Sequence, residues 1–404
     1  MSEIRSLELG PLYDSRGRLT VEATVVLESG AKARAGAPSG ASTGAHEVRA
    51  FPAGGVAEAL EVGRRVLPSA LLGVDAADQR RVDGTLHTAD GTADFSRIGG
   101  NLATAVSIAA AMAIGVETDR PLWKVLARPS VDGRTFPAIV GNCMNGGVHA
   151  IGGPEFQEFL AYATDPDPRA SVAAAIRVHA LVGEAIHRRW PALALGRGDE
   201  GGWVAPIGNE AALEFLVDAC ARARDELHTE VHPGIDLAAS EFYRDGRYRY
   251  RDRDLDTDGQ VAFVGELVDR YGLRYLEDPL DEEAFEGFAA VQRAVGARTL
   301  LVGDDLYTTD VRRVTRGAEL GASNAVLVKV NQVGTLTDTA ATVDFCRERG
   351  LATVTSHRSG EVPEGWLAHV ALGTGARALK CGLVGGERVA KLNELLRLRR
   401  ALEG

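Results

Sequence analysis

Short apolar runs recur through the second half of the chain, and each run closes on a charged or polar side chain. A strand of about five residues, a helix of about twelve and two loops of about four sum to roughly 25 residues, the period of a repeating strand–helix unit. The residues that close the runs follow one another at steps of 41, 27, 25, 28 and 23: Asp236, Glu277, Asp304, Lys329, His357 and Lys380. Because parallel strands need such crossovers, the pattern predicts consecutive βα units.

These units predict an α/β fold in which parallel strands close into a barrel from Thr135 onward. Further strands are expected at Ala138–Val140 and near Phe156–Tyr162. In such a barrel side chains fill the interior, and chemistry lies where the strands end and the βα loops begin. The six polar side chains are therefore expected to converge on one rim.

The first part of the chain is patterned differently. The alternation in Leu19–Leu27 indicates a half-buried strand, and Arg128–Arg134, with its proline and glycine, is typical of a linker. Helices are predicted near Val56–Leu67 and Asn101–Ile114. We therefore predict an N-terminal α+β domain over residues 1–133 and a barrel domain over residues 134–404.

Acids that follow strands are often helix caps rather than site residues. Asp278 fits that alternative, with Pro279 at the first helical position, and Asn209 is predicted to cap a helix over Glu210–Leu227. Capping leaves Glu277 without a structural role.

Lysine does not fit the capping alternative, because a cation opposes the dipole at a helix start. The chain has five lysines against forty arginines, yet Lys329 and Lys380 both stand at strand ends. A compact ammonium whose pKa can be moved is able to act as a base, which arginine cannot do. We interpret Lys329 as a catalytic base.

Composition limits the partners and the compartment. Over 404 residues, 45% hydrophobic and 25% charged content is typical of a soluble globular protein, and a net charge of −11 argues against a nucleic-acid partner. The start has no apolar signal segment, and the apolar stretch Leu102–Val116 is too short to span a bilayer, so we expect a core helix and no membrane partner. Four scattered cysteines indicate a reducing, cytoplasmic compartment without a zinc site.

Three carboxylates arriving from successive strands suit a hard divalent cation. Asp236, Glu277 and Asp304 offer oxygen ligands, which favours Mg²⁺ over zinc, and Mn²⁺ can substitute. The alternative is a set of unrelated surface acids. That alternative does not explain why all three follow apolar strands.

Glycine-rich loops supply further candidates. The loop Pro38–Gly44 is a predicted lid that brings the Ser42 hydroxyl to a second metal ion, although such loops are usually only flexible connections. Within Gly198–Gly202, Glu200 is a candidate acid for a leaving group, against the alternative of a plain turn. Glu158 is expected to hydrogen-bond His149.

The segment Ser356–Glu361 places a guanidinium beside a hydroxyl. Arg358 and Ser359 suit the several acceptor oxygens of a phosphate. His149 and His357 are weaker candidates, since a lone histidine is more often structural than catalytic.

Together these motifs resemble the enolase family over nearly the whole chain. The resemblance rests on Asp14–Gly17, Ser39–Gly44, Gly198–Gly202, Asp236–Tyr243, Glu277–Pro279, Gly303–Leu306, Lys329–Gln332 and Ser356–Glu361. It implies an enolase-type (β/α)8 barrel with an N-terminal α+β lid domain. It also implies a homodimer, or a larger homo-oligomer.

The resemblance implies a role for each candidate in the dehydration of 2-phosphoglycerate, a small phosphorylated carboxylate. Lys329 would take the proton from carbon 2, and Glu200, supported by Glu158, would help the 3-hydroxyl to leave. Asp236, Glu277 and Asp304 would hold one Mg²⁺, and Ser42 with the substrate phosphate would hold a second. The remaining candidates would contact the substrate or line its pocket: His149, His357, Arg358, Ser359 and Lys380.

The chain departs from the family pattern around the site. Arg18-Leu19 replaces the usual Asn-Pro, the region after Glu47 is shorter, and Cys381 follows Lys380 where threonine is usual. These changes leave open an enolase-like carboxyphosphonoenolpyruvate synthase of phosphonate biosynthesis. A non-catalytic scaffold on the enolase fold is the alternative of another class.

Overall fold

The computed structural model describes residues 2–40, 44–129 and 131–403. The N-terminal domain begins with an antiparallel meander in the order β1-β2-β3. Its strands are β1 (Ile4–Tyr13), β2 (Leu19–Leu27) and β3 (Lys32–Gly36). Its helices are α1 (Gly55–Leu71), α2 (Gln79–Asp90), α3 (Gly100–Glu117) and α4 (Leu122–Leu126). The predicted strand and both predicted helices of this region are confirmed.

Helix α3 is apolar around most of its circumference, because it is enclosed on all sides. It packs against β2 and β3 on one side and against α2 and α4 on others. Among the described residues it is the one helix long and apolar enough to cross a membrane by length and composition, and 83% of it is buried inside the molecule. This burial agrees with the predicted core helix.

The second domain contains strands and helices in alternation. Its strands are β4 (Ala138–Asn145), β5 (Glu158–Ala163), β6 (Gly196–Arg197), β7 (Trp203–Val204), β8 (Val231–Asp236), β9 (Tyr243–Arg244), β10 (Arg247–Arg249), β11 (Asp254–Leu255), β12 (Tyr275–Glu277), β13 (Leu300–Gly303), β14 (Ala325–Val328), β15 (Ala352–Ser356) and β16 (Ala378–Gly382). Its helices are α5 (Pro168–Arg189), α6 (Asn209–Leu227), α7 (Thr257–Tyr271), α8 (Phe285–Val295), α9 (Val311–Leu320), α10 (Val330–Val333), α11 (Leu336–Glu348), α12 (Trp366–Thr374) and α13 (Gly386–Ala401). Two short 3₁₀ turns lie at Gly147–His149 and Ala239–Phe242.

Eight strands within residues 131–403 close a barrel, because β16 pairs with β4. The order around it is β4, β5, β8, β12, β13, β14, β15, β16. Its interior is filled by buried side chains: Ala138, Val140, Leu160, Tyr162, Tyr275, Val302, Ala325, Leu327, Val354 and Ala378. Since the interior has no room for a ligand, chemistry is restricted to a rim. The predicted barrel is confirmed.

One barrel strand departs from the predicted all-parallel repeat. Strand β5 runs antiparallel to both of its neighbours, β4 and β8. The connection from β4 to β5 spans residues 146–157 and contains only a short 3₁₀ turn, so no crossover helix returns the chain to the other end of the barrel. The prediction of a uniform parallel barrel is wrong at this strand.

The two cap predictions are also wrong. Helix α6 begins at Asn209 itself, whose side chain accepts hydrogen bonds from the backbone nitrogens of Glu155 and Phe156. Asp278 has a left-handed backbone and accepts from the nitrogens of Asp304 and Asp305, whereas the next helix starts only at Phe285. Both side chains bind distant backbone instead of their own helix.

Direct hydrogen bonds join the two domains near the rim. Ser39 and Gly360 exchange backbone hydrogen bonds of 2.7 and 2.8 Å. The Glu364 carboxylate accepts from the Gly36 nitrogen at 3.1 Å. The N-terminal domain is therefore docked on the barrel beside the segment Ser356–Glu361.

Candidate active site

The predicted rim residues all lie at one end of the barrel. Asp236 and Glu277 are the last residues of β8 and β12, and they are direct neighbours in the strand register. Asp304, Lys329 and His357 directly follow β13, β14 and β15, while Lys380 lies within β16. Reversed strand β5 begins at this same end, so Glu158, its first residue, faces Asp236.

Lys380 is surrounded by carboxylates. Its Nζ lies 2.7 Å from Glu277 Oε1, 3.1 Å from Asp236 Oδ2 and 3.3 Å from Glu158 Oε2. Burial lowers the pKa of Lys380, but the charges of Asp236, Glu158 and Glu277 outweigh it and hold that pKa well above its usual range. Lys380 is therefore a fixed cation and not a base.

Lys329 forms an ion pair with Asp304. Burial lowers the pKa of Lys329, and Arg358 and Lys380 add to that effect, yet the Asp304 charge leaves it raised overall. Asp304 also accepts from Gln332 Nε2 at 2.9 Å. Loss of the Asp304 charge would lower the pKa of Lys329.

Four buried carboxyl groups, those of Glu158, Asp236, Glu277 and Asp304, lie beside two lysines in this part of the rim. Burial, and next the Asp236 charge, raises the pKa of Glu277 to about 8. Hard oxygen donors gathered in this way fit a divalent cation such as Mg²⁺, whose charge would favour their ionised forms.

The three predicted ligands are nevertheless held apart by ammonium groups. Glu277 uses one oxygen for Lys380 and the other for the Tyr275 hydroxyl at 2.5 Å. The tightest all-carboxylate set among the described residues is Asp278, Asp304 and Asp305, with one oxygen of each within 4.8 Å of the others. Both carboxylate oxygens of Asp278, however, accept hydrogen bonds from backbone nitrogens. Asp236, Glu277 and Asp304 are therefore each already hydrogen-bonded to a lysine.

A second cluster adjoins the first through Glu158. Glu158, Glu200 and His149 are all buried, and one ligand atom of each lies within 4.8 Å of the others. His149 Nδ1 is 3.8 Å from Glu158 Oε1 and 3.9 Å from Glu200 Oε1. The predicted hydrogen bond between Glu158 and His149 is therefore not formed. His149 Nδ1 has no hydrogen-bond partner in the described parts of the chain.

The two glutamates of this cluster differ in charge. Burial, and then the Glu200 charge, raises the pKa of Glu158 well above its usual range. Burial acts the same way on Glu200, but His357 and His149 outweigh it and hold the pKa of Glu200 well below its usual range. Between the two carboxyls, Glu158 therefore favours its protonated form and Glu200 its ionised form.

Glu200 is held by its loop and by His357. The turn Gly198–Gly202 closes on itself through backbone hydrogen bonds, with Gly201 in the left-handed region at φ 83°. His357 Nε2 lies 3.0 Å from Glu200 Oε2, and Asn142 donates to the same oxygen at 3.2 Å. The plain-turn alternative does not explain a buried carboxylate with these two donors.

Arg358 already has an anionic partner. Its two terminal nitrogens lie 2.9 and 3.1 Å from the carboxylate of Glu47, and Asn331 accepts from it at 3.0 Å. All three side chains lie beside the lid segment, since Asn331 also donates to the Pro38 carbonyl. Sequence reasoning missed Glu47 as a partner of Arg358, because its position after the lid gave no signal.

The remaining cavity is small. It measures ≈ 20 Å³, about the room of one water molecule, and its lining includes Gly40, Gln157 and Ser359 as well as the charged residues above. Larger cavities of ≈ 550 and ≈ 470 Å³ lie elsewhere, away from these charged groups. A three-carbon substrate does not fit this volume as the rim is arranged. Ser42, the predicted ligand of a second metal ion, lies outside the described residues.

Family models match both domains. The N-terminal domain of enolase matches residues 4–126, and the C-terminal TIM barrel domain of enolase matches residues 134–404. The chain belongs to the enolase family. In this enolase-family chain, the side chains at one end of the barrel strands are those that the sequence motifs placed there.

Relatives named enolase match over nearly their full length. The Methanothermobacter thermautotrophicus enolase is 43% identical over 403 residues, 98% of this chain and 96% of the relative. The Natronomonas pharaonis enolase is 44% identical over 400 residues, covering 98% and 99%. The Halobacterium salinarum enolase is 43% identical over 404 residues, again covering 98% and 99%. The domain boundary at 133/134 and the individual residue roles stay predictions.

Proposed function

We propose that this protein catalyses the Mg²⁺-dependent dehydration of 2-phosphoglycerate to phosphoenolpyruvate and water. The observation that carries the proposal is the convergence of Lys329, Lys380 and the acids Asp236, Glu277 and Asp304 on one rim, together with Glu158 and Glu200. Full-length similarity to relatives named enolase supports it.

Proton abstraction is assigned to Lys329. The C2–H bond breaks, the proton goes to the Lys329 amine, and the electron pair passes into an enediolate on the substrate carboxylate. Asp236, Glu277 and Asp304 would hold Mg²⁺, which when bound supplies positive charge against this enediolate. A lysine base working beside Mg²⁺ is already well known in the enolase superfamily, so the pairing itself is not new. With Asp304 as a ligand of that ion, its charge would raise the pKa of Lys329 less, which would favour the neutral amine.

Loss of the hydroxyl is assigned to the glutamate pair. The C3–O bond breaks, the enediolate electrons form the C2=C3 double bond, and the proton held by Glu158 and Glu200 leaves with the hydroxyl as water. Arg358 and Ser359 would bind the phosphate, with the Glu47 carboxylate beside Arg358. Lys380 would meet the substrate carboxylate, and His149 and His357 would line the pocket.

Finer expectations rest on the family resemblance. We expect two Mg²⁺ ions per site, with Ser42 at the second and Mn²⁺ able to substitute, a homodimer or larger homo-oligomer, and a cytoplasmic location. The relatives do not favour the carboxyphosphonoenolpyruvate synthase alternative or a place in phosphonate biosynthesis. Among the described residues of the rim, nothing favours the non-catalytic scaffold.

A direct assay tests the proposal. Ultraviolet absorbance of the enolpyruvate product is followed with 2-phosphoglycerate and Mg²⁺, for the wild type and Lys329→Met. We expect the variant to lose turnover by about 10³-fold, the contribution of a positioned base. Lys32→Met, which alters an exposed lysine far from the rim, is the control and keeps full activity.

Folded wild-type protein without turnover at saturating Mg²⁺ contradicts the proposal. Product that forms only when an activated phosphonate is added would move the assignment to the synthase.

A further inference from the structure

Arg388 is a fully buried arginine that the mechanism above does not use. It lies in the first turn of α13, with 0% of its surface exposed. Its guanidinium donates to the Asp199 carbonyl at 2.8 Å, the Arg358 carbonyl at 2.6 Å, the Ser359 carbonyl at 2.5 Å and His357 Nδ1 at 2.8 Å. The Arg388 guanidinium therefore connects the loop that carries Glu200 to the segment that carries Arg358.

The contact with His357 determines which ring nitrogen carries the proton. An arginine nitrogen can only donate, and the Gly382 backbone nitrogen also donates to the same Nδ1 at 3.3 Å. Nδ1 must therefore be unprotonated, and the ring proton sits on Nε2. Nε2 in turn lies 3.0 Å from Glu200 Oε2 and donates to it.

We propose that Arg388 is a positioning residue for the reaction: it fixes His357 as the neutral Nε2-protonated tautomer, and His357 thereby holds the Glu200 carboxylate for the leaving hydroxyl. This inference rests on the proposed function. The inference also excludes His357 as a base. Its unprotonated nitrogen, Nδ1, already accepts from Arg388, and its Nε2 already donates to Glu200.

The surroundings of His357 agree with a neutral ring. Burial lowers the pKa of His357, and the Arg388 charge adds to that effect against the opposing charges of Glu200 and Glu361. Glu200 faces the imidazole from the Gly198–Gly202 turn, Arg388 from α13, and Glu361 from the segment Ser356–Glu361. A protonated ring would place a second donor hydrogen against the Arg388 guanidinium.

Lys391 provides a matched control on the same helix. It lies one turn after Arg388, is equally buried, and holds the same segment through Glu361 Oε2 and the Val362 carbonyl, both at 2.5 Å. Neither of these bonds involves His357. If turnover falls because the segment Ser356–Glu361 loosens, substitution of either residue should lower it. If turnover falls because the His357 tautomer changes, only substitution of Arg388 should lower it.

The tautomer is measured directly by ¹⁵N NMR of the histidine rings, with the His357 signals assigned by their absence in His357→Gln. We expect an unprotonated Nδ1 and a protonated Nε2 in the wild type at neutral pH. In Arg388→Met we expect that preference to weaken. A wild-type His357 protonated at Nδ1, or at both nitrogens, overturns the inference whether or not the variant folds.

A kinetic cycle tests the consequence for turnover. We expect Arg388→Met to lower kcat for 2-phosphoglycerate by about 100-fold and KM to change less than about threefold, as for impaired acid catalysis. Lys391→Met should lower kcat less than about threefold. In a His357→Gln background, adding Arg388→Met should also cost less than about threefold, because the two residues act as one unit.

Losses that multiply in the double variant, or an equal loss in Lys391→Met, overturn the inference. If the wild type does not turn over 2-phosphoglycerate, the proposed function fails, and the NMR result alone then decides the tautomer assignment.

Discussion

Two glutamates of the rim show how a residue's surroundings set its chemistry. Glu158 and Glu200 are both buried and both face His149, yet the pKa of Glu158 is raised and that of Glu200 is lowered. Burial raises the pKa of both, but His357 and His149 outweigh it at Glu200, whereas the Glu200 charge adds to it at Glu158. Glu200 also accepts hydrogen bonds from His357 and Asn142. The proton of this pair therefore favours Glu158.

This difference predicts unequal costs for the same substitution. In metal-free protein at neutral pH, Glu158→Gln replaces a carboxyl that favours its neutral form, so we expect the free energy of unfolding to change by less than about 1 kcal/mol. Glu200→Gln replaces a carboxylate that accepts two hydrogen bonds, and we expect a loss of roughly 2 kcal/mol. Urea unfolding of the two variants measures both values. The opposite order would show that the proton resides on Glu200.

At the scale of elements, the contact between Gly36 at the end of β3 and Glu364, just before α12, links the domains. Burial raises the pKa of Glu364 to about 7. An unfolded glutamate releases its proton near 4.5, so between these pH values the folded state binds more protons than the unfolded state. Stability is therefore lost as the pH rises from about 4.5 to about 7.

We expect Glu364→Gln to remove this loss, because glutamine stays neutral and still offers Gly36 a carbonyl oxygen. Above pH 7 the variant should exceed the wild type in free energy of unfolding by up to about 3 kcal/mol, with the difference vanishing near pH 4. Denaturant unfolding at a series of pH values measures it. Glu8→Gln, at an exposed carboxylate, should show no such trend. A constant difference at all pH values would contradict the assignment.

At the scale of the whole molecule, folding brings together acids that are 41 and 27 residues apart in the chain. The unfolded chain has no such cluster, so a divalent cation should bind the folded state preferentially. At a hundredfold excess over its Kd, Mg²⁺ should raise the free energy of unfolding by about 2.7 kcal/mol.

Thermal unfolding with Mg²⁺ and with a chelator measures that increase. In Asp236→Asn we expect most of the Mg²⁺-dependent rise in Tm to disappear. Asp225→Asn, at an exposed position on α6, is the control and should keep the rise. An undiminished rise in Asp236→Asn would place the cation elsewhere.

The sequence by itself determined the barrel, its strand ends and the rim residues, because strand–helix periodicity and the residue that follows each strand are local properties. Tertiary structure alone decided the direction of β5, since that depends on a missing crossover rather than on the strand's own pattern. It also decided the pairing of Arg358 with Glu47 and of Arg388 with His357. Arg388 is one of forty arginines in the sequence. Only the fold buries its guanidinium against the His357 imidazole, 31 residues away, where its donation to Nδ1 places the ring proton on Nε2.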